Sequence, residues 1–464
     1  MANLILWSSM GVEHAPVRAC GPTQLASWLR QHGYTVKVID FCHLMTTDQL
    51  VAITDKHIGA DTIAVGVSST FWDERWKTGY NSIDHLEPDW VLNAREVVER
   101  KHKLHWLLGG GKSNFSPYKC QWIKMHGFAE DELLRWLDQN SGRYVRRELF
   151  DITCMERFSL EEDYIQPDEP LTIELTRGCK FKCKFCSYPL VGKKPGTYMR
   201  DPKYIREEFI RNYDEWGTTN YYFQDDTVNE SLEKVQSIVD IVQSLPFELN
   251  WIGYNRLDLI GATPGMAQLL KDSGLRSSHF GIESFHRDAS RAVGKGWNGL
   301  YARDYLLELR DMWGPSINWY LSFITGLPGE PEESVRQSHQ WCKDNEMYSW
   351  SFFGLNISSA DTRLWRSEFE INATEYGYKF PIEGNTHYWE NGDWNAASAR
   401  ALGMELNAES TKLSKPSCWL LTELVGLGYT YEQIMSTSRA EHDWEKYRQQ
   451  TKEFVEEYVS FQLR

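Results

Sequence analysis

The sequence lacks the features that would place this chain in a membrane or outside the cell. No run approaches the roughly 20 apolar residues that cross a bilayer, and the start, Met1 to Trp7, has neither the basic residues nor the apolar stretch of an export signal. The 9 cysteines among 464 residues are too few for a disulfide scaffold. We therefore expect a cytoplasmic protein with reduced thiols that needs no membrane.

Basic residues are also scarce. Lys and Arg number 50 against 65 Asp and Glu, which gives a net charge of −15. Phosphate backbones are bound by massed Lys and Arg, so this balance argues against a nucleic-acid-binding face spread over the protein. Aromatic residues, in contrast, are abundant, with 20 Trp and 23 Tyr. Aromatic rings fill cores and line binding cavities alike, so their number alone does not decide between the two.

Residues 1–140 alternate short apolar runs with amphipathic segments. The runs are Ala2–Trp7, Val36–Asp40, Thr62–Val67 and Leu104–Leu108. This alternation predicts βαβ units in a Rossmann-like, doubly wound parallel sheet. Two runs end in small or polar residues, at the edge where open α/β sheets bind ligands. These residues are Ser68, Ser69 and Thr70 after one run, and Gly109, Gly110 and Gly111 after the other.

A second alternating series follows a charged, irregular linker at 141–165. Over residues 166–365 we expect six βα steps, which predict a partial (β/α)6 barrel of the TIM type with its site at the strand carboxyl ends. The predicted strands are Leu171–Leu175, Asn220–Phe223, Glu248–Tyr254, Ser278–Ile282, Asn318–Ile324 and Ser351–Leu355. Residues 366–464 lose the strand pattern and predict a mainly helical C-terminal domain.

Three of the nine cysteines lie within eight residues, directly after the first strand of the second series. Cys179, Cys183 and Cys186 have the spacing Cys-x3-Cys-x2-Cys. Thiolates are the usual protein ligands of iron–sulfur clusters, and a loop of this length wraps three corners of a cubane. Structural zinc normally takes four ligands, and no second Cys or His pair follows at a matching spacing. The remaining six are scattered and fit buried thiols: Cys20, Cys42, Cys120, Cys154, Cys342 and Cys418.

This loop resembles the signature of the radical S-adenosylmethionine (SAM) superfamily, including the aromatic Phe185 before the last cysteine. The resemblance covers about residues 170–365. It implies a 4Fe-4S cluster on Cys179, Cys183 and Cys186, with SAM chelating the open iron. It also implies reductive cleavage of SAM to a 5′-deoxyadenosyl radical. The family positions that contact SAM correspond here to Asp225, Asp226, Arg256 and Glu283 and, more weakly, to Ser284 and Lys295.

The same subgroup often carries an N-terminal cobalamin-binding domain, and residues 21–40 look like its first helix and second strand. The resemblance implies cobalamin at Ser68, Ser69, Gly109 and Gly110. The Asp-x-His-x-x-Gly motif that supplies an axial histidine in some cobalamin proteins is missing, and His14 lacks its spacing. An empty, purely structural Rossmann-like domain is the alternative.

These resemblances imply radical chemistry on a small-molecule or peptide substrate, with cobalamin-dependent C-methylation as the leading hypothesis. Cobalamin-linked rearrangement, cyclisation or oxidation is the first alternative, and a non-catalytic iron–sulfur carrier or sensor is the second. Basic residues around the cysteine loop also suggest docking of an acidic electron donor such as a flavodoxin or ferredoxin. They are Arg177, Lys180, Lys182, Lys184, Lys193 and Lys194.

Overall fold

The fold was analysed in a computed structural model of the chain. It describes residues 1–10, 16–70, 72, 87–110, 113, 119–145, 150–152, 158–159, 162–186, 199–359, 366–381 and 388–464. Five residues named above lie outside these ranges: His14, Gly111, Cys154, Lys193 and Lys194. The chain divides into two compact units, Met1–Thr172 with Trp444–Arg464, and Ile173–Asp443.

The first unit contains a parallel sheet with helices on both faces. Its strands are Leu4–Trp7 (β1), Val36–Ile39 (β2), Ala64–Ser68 (β3), His105–Gly109 (β4) and Ile123–Lys124 (β5). Its helices are Cys20–Gln31 (α1), Thr47–His57 (α2), Asp89–Lys101 (α3) and Glu130–Asn140 (α4). The strand order is β2-β1-β3-β4-β5, and the paired strands run parallel. In this order the strand sequence reverses between β1 and β3, where doubly wound folds bind their ligands.

Aromatic side chains form much of the core on one face of this sheet. The Trp7 ring of β1 lies 5.2 Å from the Trp106 ring of β4, and the Trp7 indole donates to Thr54 Oγ1 of α2 at 3.1 Å. The Arg95 guanidinium of α3 lies 4.9 Å from the centre of the Trp106 ring. Part of the tryptophan excess therefore belongs to the core of this unit.

The last helix differs from the prediction of one C-terminal domain over 366–464. Trp444–Leu463 (α16) packs in the first unit, where the Phe454 and Tyr458 rings lie 5.1 and 5.3 Å from Phe41. The Tyr458 hydroxyl also accepts a hydrogen bond from the Asp40 amide at 2.9 Å. The helix belongs here because its buried face completes the apolar cluster formed by α2 and α3.

The second unit contains six strands in sequential order, separated by helices. The strands are Leu171–Ile173 (β6), Asn220–Phe223 (β7), Asn250–Asn255 (β8), Leu275–Glu283 (β9), Asn318–Thr325 (β10) and Ser349–Gly354 (β11). Strands β7 to β11 run parallel. The helices between them are Pro202–Trp216 (α5), Leu232–Gln243 (α6), Leu257–Ala262 (α7), Met266–Asp272 (α8), Arg287–Val293 (α9), Gly299–Trp313 (α10) and Glu332–Asp344 (α11). This arrangement confirms the predicted partial barrel.

The remaining helices of this unit pack against the barrel. They are Glu368–Ile371 (α12), Ala396–Leu413 (α13), Cys418–Gly426 (α14) and Tyr431–Ser436 (α15). Helix α13 covers the edge strand β11, where the Asn407 side chain accepts from the Phe352 amide and donates to its carbonyl, each at 2.8 Å. Covering an edge strand satisfies backbone groups that would otherwise pair with another chain. Among the described residues, no helix is both long and apolar enough to span a membrane.

Candidate active site

The three clustered cysteines lie on the loop that follows β6, at the carboxyl end of the barrel strands. The loop is held by its backbone, since the Lys184 amide donates to the Val293 carbonyl at 2.9 Å and the Lys184 carbonyl accepts from the Phe369 amide at 2.9 Å. A tight turn brings the last two cysteines together, with the Cys186 amide donating to the Cys183 carbonyl at 3.0 Å. All three cysteines are half-buried, and burial raises the pKa of the Cys183 thiol.

The donor set of this loop fits an iron–sulfur cluster. Within the part of the chain that the structure describes, no three His, Cys, Asp or Glu side chains converge on a point that could hold a single metal ion. The thiolates of a cubane site each bind a different iron, so they stand further apart than the ligands of one ion. Three thiols on an open loop can therefore hold three corners of a 4Fe-4S cluster and leave the fourth accessible.

Asp225, just beyond β7, is buried and surrounded by donors. Its carboxylate accepts from the Leu175 and Thr176 amides at 2.7 and 3.0 Å and from the Thr176 hydroxyl at 2.6 Å. Lys234 of α6 forms an ion pair with the same group at 2.6 Å. These contacts tie the residues preceding the cysteine loop to the end of β7. Contact between Asp225 and SAM stays a prediction, as does contact with its half-buried neighbour Asp226.

Arg256 follows β8 and reaches the cysteine loop. Its Nη1 donates to Cys183 Sγ at 3.4 Å, and Asp258 binds Nε and Nη2 at 3.0 and 2.6 Å. Its guanidinium lies 4.1 Å from the centre of the Phe181 ring. Burial alone would lower the pKa of Arg256, but the hydrogen bond and charge of Asp258, together with the nearby Cys183 and Cys179, raise the pKa. Arg256 therefore stays cationic beside Cys183.

At the end of β9, Glu283 adopts the left-handed backbone conformation, with φ of 66°. This conformation is costly for a residue with a side chain and is found disproportionately at functional sites. The Glu283 carboxylate is buried and pairs with Lys295 Nζ at 2.6 Å, and the same Nζ donates to the Gly281 carbonyl at 2.6 Å. The structure thus brings together Glu283 and Lys295, both named from the sequence.

Ser284 extends this end of the site to a buried acid. Its hydroxyl donates to Glu330 Oε1 at 2.5 Å and accepts from the His286 amide at 2.8 Å. Burial raises the pKa of Glu330 to about 7, against the opposing effect of the Ser284 and Ser334 hydroxyls. Glu330 Oε2 is buried and makes no hydrogen bond within the described residues. The Ser284 side chain is therefore engaged with protein groups on two sides.

The predicted cofactor residues of the first unit lie together at the carboxyl ends of β3 and β4. The Ser69 amide and hydroxyl both donate to the Gly109 carbonyl, at 2.9 and 2.7 Å. Gly110 has φ of +92°, and a Cβ there would lie 2.8 Å from the Thr70 amide nitrogen. Within the described residues, no atom lies within 4 Å of a Cβ placed on Gly109, and Ser68 is only partly buried. Ser69 and Gly110 are thus closely packed at this edge, whereas no described atom crowds Gly109.

Aromatic residues of the C-terminal segment pack against the barrel. The indoles of Trp389 and Trp394 are buried and donate to the carbonyls of Leu355 and Glu330, at 3.0 and 2.6 Å. Trp419 of α14 is 37% exposed, and its ring lies 5.8 Å from Tyr254 and 6.0 Å from His279. Core packing therefore accounts for Trp389 and Trp394, while Trp419 keeps an open surface beside the barrel strands.

Sequence reasoning missed the groups that act on the named residues. Lys234, the partner of Asp225, lies nine residues further along the chain, at a spacing with no motif. Thr227, whose hydroxyl lies 3.4 Å from Cys179 Sγ, sits in a segment noted only for its two aspartates. Asp258 lies two residues after Arg256, but nothing in the sequence shows that the two side chains pair. Only the fold brings these groups into contact.

Comparison with known proteins shows what the region around this site is similar to. Residues 173–342 match the model of the Radical SAM superfamily. An uncharacterized methyltransferase of Pyrococcus horikoshii is 26% identical over 243 residues, which are 52% of this chain and 50% of that protein. The chain therefore covers about half the length of this curated relative.

Two solved structures share the fold over most of the chain. The radical SAM methyltransferase TsrM from Kitasatospora setae, with cobalamin and a 4Fe-4S cluster bound, has a TM-score of 0.61 at 16% identity, with 99% of each chain covered. The cobalamin-dependent SAM radical enzyme OxsB has a TM-score of 0.54 at 15% identity, over 81% of this chain and 56% of that one.

The fold and the cysteine loop define a protein with a radical SAM domain, at residues 173–342. The superfamily implies the 4Fe-4S cluster and SAM, as the family resemblance also implied. More narrowly, the whole chain has the fold of TsrM, a radical SAM methyltransferase that has been solved with cobalamin bound. The predicted architecture, a Rossmann-like sheet, a partial barrel and C-terminal helices, is confirmed.

Proposed function

We propose that this protein is a cobalamin-dependent radical SAM enzyme that methylates an unactivated carbon of a small-molecule or peptide substrate. One observation carries the proposal. The same chain contains a three-cysteine loop at the carboxyl end of a six-stranded partial barrel and a separate parallel sheet of order β2-β1-β3-β4-β5. The methyltransferases similar to this chain in sequence and fold support methyl transfer. TsrM has been solved with a tryptophan substrate, which supports a substrate of that size.

In this proposal Cys179, Cys183 and Cys186 hold the cluster. When bound, the cluster and SAM supply one-electron hydrogen abstraction, and cobalamin supplies the methyl group. Glu283 and Lys295 form a rigid charged pair at the end of β9, suited to orienting the polar groups of SAM. Asp225 and Lys234 fix the strand ends on which the loop is built. The protein's own contribution is therefore to hold the reacting groups in place.

Cobalamin would bind along the carboxyl ends of β3 and β4. No described atom crowds Gly109, and Ser68 is only partly buried, an arrangement that suits the approach of a large planar ring to the backbone. Ser69 holds the backbone of this edge through its hydrogen bonds to the Gly109 carbonyl, and Gly110 forms the turn that follows. Both TsrM and OxsB have been solved with cobalamin bound, which supports this part of the proposal.

The electron donor would be a small acidic protein such as a flavodoxin or ferredoxin. Lys182, between two cluster cysteines, is exposed and available to such a partner. Lys184 is less available, because its ammonium lies 5.2 Å from the centre of the Tyr376 ring. Substituting Lys182 with Glu should slow cluster reduction by flavodoxin at low salt and leave reduction by dithionite unchanged. An equal flavodoxin rate in both proteins would exclude docking at this residue.

The decisive experiment is anaerobic reconstitution with iron and sulfide, followed by incubation with SAM, hydroxocobalamin and a reductant. We expect cluster absorbance, cobalamin that stays with the protein through gel filtration, and formation of 5′-deoxyadenosine or S-adenosylhomocysteine. Cys183→Ala should lose the cluster and both products. Cys120→Ala, which removes another half-buried thiol, should retain them.

The product pattern then separates the alternatives. S-adenosylhomocysteine together with a methylated product supports methyl transfer. 5′-Deoxyadenosine without methylation supports rearrangement, cyclisation or oxidation. A stable cluster that yields neither product in the presence of reductant would exclude the enzyme and favour an electron carrier or sensor.

A further inference from the structure

We propose that Arg256 raises the reduction potential of the cluster through its hydrogen bond to Cys183, and that Asp258 is the positioning residue that holds Arg256 in place. This inference rests on the proposed function, in that Cys183 must be a cluster ligand. It assigns Arg256 a role different from the SAM contact predicted by family resemblance. It also assigns Asp258, for which neither the resemblance nor the comparisons give a role.

The guanidinium of Arg256 is fixed on all sides. Asp258 binds Nε and Nη2 in a two-pronged contact, and Nη2 also donates to the Lys295 carbonyl at 3.0 Å. The Phe181 ring lies against the guanidinium at 4.1 Å. Nη1 then points at Cys183 Sγ, 3.4 Å away. The planar guanidinium cannot rotate away from the sulfur without breaking its bidentate ion pair with Asp258.

This contact should act on the cluster because reduction adds one negative charge that is spread over the irons and sulfurs. A cationic N–H donor stabilises the reduced form more than the oxidised form, so its presence raises the potential. Arg256 is only 8% exposed, so solvent screens its charge poorly. Cys183 is therefore the ligand through which Arg256 acts on the cluster.

A second and weaker contact is made to Cys179. The Thr227 hydroxyl, 4% exposed, lies 3.4 Å from Cys179 Sγ. Thr227 is neutral, and its hydrogen is shared with the Asp226 carbonyl at 2.8 Å. Neutral donors are roughly half as strong as charged ones, so Thr227 should shift the potential in the same direction by less than Arg256 does.

The test is a redox titration, monitored by electron paramagnetic resonance, of the reconstituted cluster without SAM. Arg256→Gln keeps a side chain that can donate but removes the charge, and Arg256→Lys keeps the charge but loses the fork. We expect the cluster of the Gln variant to have a more negative reduction potential. At a fixed solution potential, about tenfold less of the cluster should be reduced, which corresponds to 59 mV for one electron. The Lys variant and Asp258→Asn should shift less, and Thr227→Val least.

Arg276→Gln is the matched control, because this arginine lies at the opposite end of β9 and donates to Asn250 Oδ1 at 2.6 Å. The cluster in this variant should have the same reduction potential as in the wild type. Iron and sulfide content is measured for every variant, so that a shift is not confused with loss of cluster. A wild-type potential in both Arg256 variants at full cluster content would overturn the inference.

Two further results distinguish this inference from the proposed function and from a role of Arg256 in SAM binding. Failure of the wild-type protein to assemble a 4Fe-4S cluster would contradict the proposed function itself. If Arg256 acted only in SAM binding, its substitution would weaken SAM affinity and leave the reduction potential measured without SAM unchanged. That result would also overturn the inference. A negative shift in the absence of SAM supports it.

Discussion

The carboxyl ends of β3 and β4 and those of β7, β8 and β9 are built from opposite kinds of groups, although the end of β2 in the first sheet also carries a buried ion pair, Arg18–Asp40. In the first unit, the ends of β3 and β4 expose small neutral groups, a serine hydroxyl and glycine backbone. In the second unit, the ends of β7, β8 and β9 each carry a buried or half-buried ion pair. These pairs are Asp225–Lys234, Arg256–Asp258 and Glu283–Lys295.

The difference shows two ways of organising the end of a strand. Small neutral residues leave room for a large ring and fix the edge through backbone geometry. Ion pairs fill the space and fix side chains in one orientation, at the cost of removing charges from water. The first edge should therefore be sensitive to added volume, whereas the second should be sensitive to an unmatched charge.

The largest effect should come from leaving Asp225 unpaired. Lys234→Met removes a cation that is 2% exposed from a carboxylate that is fully buried. Breaking a buried pair on one side typically costs about 3–5 kcal/mol of unfolding free energy. Urea denaturation measures this loss, and hydrogen exchange at the Leu175 and Thr176 amides should accelerate, since both donate to Asp225.

Two variants test whether the charge is the cause. Combining Lys234→Met with Asp225→Asn removes both charges and should recover part of the lost stability. Lys203→Met removes an ammonium with a side chain that is 71% exposed, 3.9 Å from Glu207, and should change stability by less than about 0.5 kcal/mol. If Lys234→Met is as mild as Lys203→Met, the second edge does not depend on charge balance.

This contrast was only partly predictable from the sequence. Small residues that end an apolar run mark the first edge locally, and the cysteine spacing marks the loop after β6. The ion pairs of the second edge could not be predicted in full, since Lys295 lies 12 residues beyond Glu283 and Arg256 meets a cysteine 73 positions earlier. Such contacts depend on how neighbouring βα units pack, which no local pattern encodes.

The fold shows the same division. Each predicted barrel strand overlaps an observed strand, because buried parallel strands read as short apolar runs. The assignment of α16 to the first unit could not be predicted, since its contact between Tyr458 and Asp40 spans 418 positions. A helical pattern shows that a helix has an apolar face, but it does not identify the surface that covers that face.

Protonation of Glu330 should make the stability of the second unit depend on pH. Burial raises the pKa of this carboxyl to about 7 from an ordinary value of 4.5, so the folded state keeps a proton that the unfolded state loses. The unfolding free energy should therefore fall by about 3 kcal/mol as pH rises from about 4.5 to 7 and stay level above that range.

Glu330→Gln isolates this contribution, because an amide does not titrate in this range. The difference in unfolding free energy between variant and wild type is measured by urea denaturation at pH 5, 6, 7 and 8. The wild type should lose stability relative to the variant over this series. Parallel curves for the two proteins would mean that Glu330 is ionised in the fold at pH 5.

Added volume should damage the first edge at one glycine and spare the other. Gly110→Ala places a Cβ 2.8 Å from the Thr70 amide nitrogen, at a residue with φ of +92°. The left-handed conformation alone costs about 1–2 kcal/mol, and the clash adds to it. Gly109→Ala, whose Cβ would meet no described atom within 4 Å, should barely change stability but should weaken cobalamin retention. Equal stability losses would show that the edge does not distinguish the two positions.

The smallest effect should separate the two serines of the same edge. Ser69→Ala removes a buried hydroxyl that donates to the Gly109 carbonyl at 2.7 Å, which should cost about 1 kcal/mol. The loss stays modest because the Ser69 amide still donates to that carbonyl at 2.9 Å, so no buried acceptor is left unpaired. Ser68→Ala removes a partly buried hydroxyl whose contact with Thr70 Oγ1 is 3.4 Å, and it should change stability by less than about 0.5 kcal/mol. If urea denaturation ranks the two variants in the reverse order, Ser68 is the hydroxyl that builds the edge. The expected order instead leaves Ser68 free to face a ligand, as an edge made of small neutral groups requires.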